Sequence, residues 1–75
     1  MNFSSKIPQK TLCRLYDYVN LCFDADELLY SLMCAKIVTV FSVLFDVGVL
    51  TFDERSEGSA YFRALAKERY GEIEK

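Results

Sequence analysis

The sequence predicts one all-α domain over residues 1–75: a small bundle of three helices, or four if the segment after Gly48 adds one, around a long apolar central helix. Three features predict it. Apolar residues early in the chain recur at three- and four-residue steps, the period of a helix that buries one face. The polar residues inside the central run LLYSLMCAKIVTVFSVLFDVGVL fall on one helical stripe. The late stretch AYFRALAKERY consists largely of strong helix formers.

The first helix is expected over residues 8–23. Pro8 suits a first helical turn, where its missing N–H costs nothing. Leu12, Leu15, Tyr16, Val19, Cys22 and Phe23 then lie within about 120° of one another on a helical wheel, with Arg14 and Asp17 on the far side. Core packing is the ordinary use of such a stripe.

Asp24-Ala25-Asp26-Glu27 reads as a capping box, Asp24 at the N-cap and Glu27 three residues on, with Asp26 adding charge at the positive end of the helix dipole. From there a second helix runs to about Val47, and Gly48 is a natural residue just past its end. The β-branched residues between Ile37 and Val43 argue instead for a strand. Spacing decides between them. Ser31, Ala35, Thr39, Ser42 and Asp46 fall on a helical stripe about 80° wide, whereas on a strand they scatter over both faces.

Beyond Gly48 two local signals compete. VLTFDERSEGSAYF fits a short hairpin over about 49–63 with a turn at residues 55–59, which gives an α+β alternative, while Thr51 followed by Glu54 caps a further helix. The last helix should place Tyr61, Phe62, Leu65, Ala66 and Ile73 on one broad face and stop near Gly71. Gly48, Gly58 and Gly71 are isolated and read as punctuation.

Composition bounds the function. Seventy-five residues bury only a small core, and such chains usually need a disulfide, a metal or a partner. Cys13, Cys22 and Cys34 form no C-x-x-C pair, and the chain has no histidine, so they read as apolar fillers in a reducing compartment, with no metal expected. Carboxylates sit at helix starts and in the polar 53–57 segment, and no glycine-rich phosphate loop exists, so neither catalysis nor a cofactor is expected. The net charge of −2 mixes both signs without a basic cluster. Nucleic-acid binding is therefore disfavoured, the second helix being too apolar to read a groove and Arg63, Lys67 and Arg69 being interleaved with Glu68, Glu72 and Glu74. The start MNFSSKIPQK lacks an apolar signal region, which predicts a cytoplasmic protein.

A helix over residues 28–50 would measure about 34 Å, enough to cross a bilayer core of about 30 Å. The energy is less favourable. Thirteen Leu, Ile, Val and Phe residues contribute about −0.3 to −0.6 kcal/mol each, while Lys36 near the centre costs about 3 kcal/mol and Asp46 adds more. Acidic flanks at Asp24, Asp26, Glu27, Asp53 and Glu54 stand where basic anchors belong. A soluble core helix is the expectation, with a single membrane span as the alternative.

Two neighbouring helices cover about two-thirds of a helix's circumference, so part of the second helix should remain uncovered. The expected interface is Leu28, Ser31, Leu32, Ala35, Thr39, Ser42 and Val43, whose small members would let another helix approach closely. The sequence thus predicts a protein–protein interaction module, a regulator or inhibitor that blocks a surface, as a homodimer or small oligomer and/or bound to a larger protein. A small DNA-binding helical regulator is the remaining alternative.

Overall fold

The computed structural model describes residues 3–72. It contains three α-helices, and no strand occurs among the described residues: α1 is Gln9–Leu21, α2 is Glu27–Asp46 and α3 is Phe52–Glu72. The hairpin alternative at 49–63 is therefore wrong. Of the two signals there, the cap won: the Thr51 N–H donates to Glu54 Oε1 at 2.9 Å and the Glu54 N–H donates back to Thr51 Oγ1 at 3.2 Å. Each side chain thus satisfies a backbone donor that the first turn leaves without a partner.

A short 3-10 turn, Phe3–Lys6, precedes α1. Sequence periodicity gives it no signal, yet Phe3 is fully buried, edge-on to Phe41 at 5.9 Å and to Tyr61 at 6.2 Å. Lys6 ties the turn to α3 through an ion pair with Glu54 at 2.8 Å.

Pro8 is the N-cap of α1, and its carbonyl accepts from the Leu12 N–H at 3.0 Å. Leu15, Val19 and Cys22 are buried as the stripe requires, but Tyr16 and Phe23 are exposed. Tyr16 still packs its ring edge against Phe62 at 5.1 Å. The helix ends at Leu21, two residues short of the expected boundary, because the chain must turn into α2. Asp24 takes a left-handed backbone conformation (φ 60°), which Asp tolerates better than most residues. Asp26 rather than Asp24 caps α2, its carboxylate accepting from the Leu29 N–H at 2.8 Å.

The end of α2 follows the sequence. Gly48 adopts φ +85°, its N–H donates to the Phe45 carbonyl at 3.1 Å, and the Val49 N–H donates to the Leu44 carbonyl at 2.9 Å. These paired bonds close the helix end in a Schellman motif. Met33, Ile37 and Phe41, at four-residue steps, are the buried residues of α2.

Helix α3 carries the corrections. Gly58 is no turn residue: it lies in the helix interior, buried against α2. A Cβ added there would sit 2.8 Å from Phe41 Cζ and closer still to Cε1. Its missing side chain is what admits the Phe41 ring. Phe41 also packs on Phe62 at 5.8 Å, and Phe62 and Ala66 are fully buried, while Leu65 is half-buried and Tyr61 is 38% exposed. Ile73, expected on the same face, lies outside the described residues. The helix ends at Glu72, one residue past Gly71 and close to the expected stop.

Two outcomes test this packing. Gly58→Ala gains about 1 kcal/mol of helix propensity but overpacks a site whose Phe41 ring is fully enclosed, so the net expected change is a loss of about 1–2 kcal/mol by denaturant melt. Gly71→Ala, with nothing within 4 Å of the new methyl, should gain about 0.5 kcal/mol instead.

The cap of α3 titrates. A hydrogen bond from Lys6, then one from the Thr51 N–H, holds the Glu54 carboxyl below the usual carboxylate range. Its folded value lies below its unfolded one, so its stabilisation is complete above the ordinary range and is lost as pH falls through the depressed value. Glu54→Gln should lower the melting temperature at neutral pH, and the gap to the parent should close as pH falls through the depressed carboxyl range. Thr51→Ala should cost about 1 kcal/mol at either pH.

Candidate interaction surface

Helix α2 is covered on one side only. Its buried line of Met33, Ile37 and Phe41 packs against α1 and α3, with the α2–α3 contact the more extensive. On a helical wheel the opposite side carries Leu28, Leu32, Ala35, Thr39 and Val43, with Ser31 and Ser42 beside them. Leu28 is 79% exposed, Leu32 51% and Val43 52%; Ser31, Ala35 and Thr39 are exposed and Ser42 is half-buried. All seven residues expected at an interface therefore lie on or beside this uncovered ridge. Val47, at the end of the same helix, adds a further exposed apolar side chain.

The ridge is less polar than its hydroxyls suggest. Thr39 Oγ1 donates to the Ala35 carbonyl at 2.9 Å, so its hydrogen is used within the helix. Asp46 marks the polar end, one residue before the C-cap.

A groove runs along each side of the ridge, and cations line both. Between α1 and α2 it has two regions of about 430 and 360 Å³ that share Thr39 and Val40. Helix α1 contributes Lys10, Thr11, Arg14 and Tyr18; α2 contributes Leu32, Lys36, Val40, Val43 and Leu44. Lys36 Nζ sits 5.9 Å from the Tyr18 ring centroid. The groove between α2 and α3, about 250 Å³, is lined by Val38, Ser42, Ser56, Ser59, Arg55 and Arg63. The Arg55 guanidinium lies over Phe45 at 5.1 Å and Phe52 at 4.8 Å, a position that holds the charge against an apolar surface.

Among the described residues no carboxylate lines either groove, although the chain carries a net charge of −2. Packing separates the signs. On α3, Arg55 and Arg63 turn toward α2, while Glu54 is engaged by Lys6. The mixed signs of that helix are thus more than a uniformly solvated face. Sequence inspection missed this flank because its members come from three helices. The i, i+4 pair Lys10 and Arg14 was the one local hint.

Cys13 is exposed, Cys34 half-buried and Cys22 buried, and none is bonded to another. Burial, then the neighbouring Cys34, pushes the Cys22 thiol up, and its Sγ lies 3.5 Å from the Tyr18 carbonyl. A raised thiol is a poor nucleophile at neutral pH. Tyr30, stacked on Tyr70 at 4.3 Å, is likewise pushed up by burial and by a hydrogen bond with Cys34. These groups close the far end of the α2–α3 contact as packing.

Comparison of the chain with protein-family models, with curated proteins and with solved structures finds no match.

Proposed function

We propose that the chain is a small protein–protein interaction module, a non-enzymatic regulator or inhibitor that acts by occupying a surface on a larger protein. One observation carries this: the most apolar helix of the molecule exposes a continuous ridge directly opposite its core line. A ridge holding Leu28, Leu32 and Val43 in water is the kind of apolar surface that marks an interaction site. Three free cysteines suit a reducing compartment, and the proposed location is the cytoplasm.

Self-association through the ridge is the weaker form of this proposal. Two-fold pairing sets one basic flank against another whether the two α2 helices run parallel or antiparallel. A different protein avoids that repulsion.

One observation favours a second reading. Helix α2 is long and apolar enough to cross a membrane, with a mean hydropathy of 2.0 and only 22% of the relevant window buried. A span would require α2 to withdraw Met33, Ile37 and Phe41 from α1 and α3, and Lys36 would need a counter-charge in the bilayer. DNA binding draws less support, because the cations border an apolar ridge rather than a polar surface able to read bases.

Photocrosslinking tests the proposal. Benzoylphenylalanine at exposed Ala35, in the cells that make the protein, should give an adduct heavier than two copies of this 8.7 kDa chain. The same group at Glu57, exposed on α3, should give none, and Leu32→Arg should abolish the Ala35 adduct. No protein adduct from Ala35, or one at twice the chain's own mass, would contradict a larger partner.

A further inference from the structure

We infer that the groove between α1 and α2 receives an acidic amphipathic helix of the partner, docked as a fourth helix of the bundle. This rests on the proposal that the chain binds a larger protein, and it specifies the chemistry of what is bound.

Shape sets the first constraint. The groove's two regions join at Thr39 and Val40, and its α2 wall runs from Leu32 to Leu44, about 18 Å or three helical turns. That matches one helix of about twelve residues rather than a flat protein face or an extended strand. Small side chains at Ala35 and Thr39 keep the wall low midway along, where an incoming backbone must come closest. Val40, Val43, Leu32 and Leu44 supply apolar seats for residues spaced at i, i+3 or i+4, and i+7.

Charge sets the second. Lys10, Arg14 and Lys36 line the groove; among the described residues no carboxylate does, and none of the three makes an ion pair. A docked helix with Leu or Val on its inner face and Glu or Asp along its edges answers both features. A second copy of this chain does not, because its own apolar ridge is bordered by cations on either side. An anionic membrane surface shares the charge, but a concave site with a wall kept low by small residues fits a helix better than it fits disordered acyl chains.

The test uses the full chain and a labelled synthetic peptide of about 18 residues, with Leu on one face and Glu along both edges. Its twin carries Lys for every Glu. By fluorescence anisotropy the Glu peptide should bind at least about tenfold more tightly than the Lys peptide, and this preference should shrink with added salt. Lys10→Glu with Arg14→Glu should reverse the preference. Val43→Asp, at an exposed position, should weaken both peptides while helical circular dichroism is unchanged. Equal affinity for the two peptides, preference for the Lys peptide, or binding of neither would overturn the inference. So would binding to phosphatidylserine vesicles with no peptide binding. If a heavy adduct from Ala35 persists beside any of these results, the chemistry assigned to the bound helix fails and the interaction proposal stands.

Discussion

The close approach of α2 and α3 at Gly58 is the constraint on which the rest of the molecule depends. Phe41 needs the space that a side chain at residue 58 would fill, and α3 is helical there despite a glycine that weakens it. With the ring seated, Phe62 packs on one side of it and Phe3 on another, so that the 3-10 turn ahead of α1 is held by the middle of the chain. Leu15, Ile37, Cys22 and Ala66 are fully buried with them. Helix α1 then lies across the remaining side. An interior this small tolerates no vacancy, because each large side chain is a substantial share of the whole.

The same arrangement leaves α2 exposed. Its core line consumes one face, and two neighbours cannot reach the opposite one. A residue such as Leu28, four-fifths exposed, gains little from folding and would lose nothing by being covered by another molecule. Cations from three helices gather along both margins of that ridge, while Asp26 and Glu54 are engaged at caps and Glu54 also pairs with Lys6. Apolar surface provides adhesion without much selectivity. In the proposed interaction the charged margins would select among partners, most sharply against a second copy of the chain.

Much of the fold was legible in the sequence because its signals are local. Polar residues at helical spacing, not the strand-favouring Ile and Val, identified α2, and Gly48 marked its end through a conformation that glycine adopts at little cost. The reciprocal Thr51 and Glu54 cap was also visible, though a hairpin had equal local support until α3 was seen to run through residues 52–63. Asp24 and Asp26 are indistinguishable as caps by residue type, and only the path of the turn assigns Asp26. Two features could not be read. Phe3 stands outside any periodic stretch, and Gly58 has meaning only against Phe41, seventeen positions away in sequence. The seven residues of the ridge shared a face in the sequence pattern and share it in the structure. Their basic margins were invisible for the same reason as Gly58, since Lys10, Lys36 and Arg55 come to border one ridge only through the tertiary fold.

That α2 is the core helix of a folded unit whose outer face awaits a different protein is most directly tested by molar mass. Light scattering on a sizing column, without detergent and over a concentration series, should give the 8.7 kDa of a single chain throughout, because like charges oppose ridge-to-ridge pairing. A dimer that persists on dilution would show the ridge closed by a second copy. Material that stays in solution only with detergent would show α2 engaged with lipid, and either result would contradict an outer face left open for a different protein.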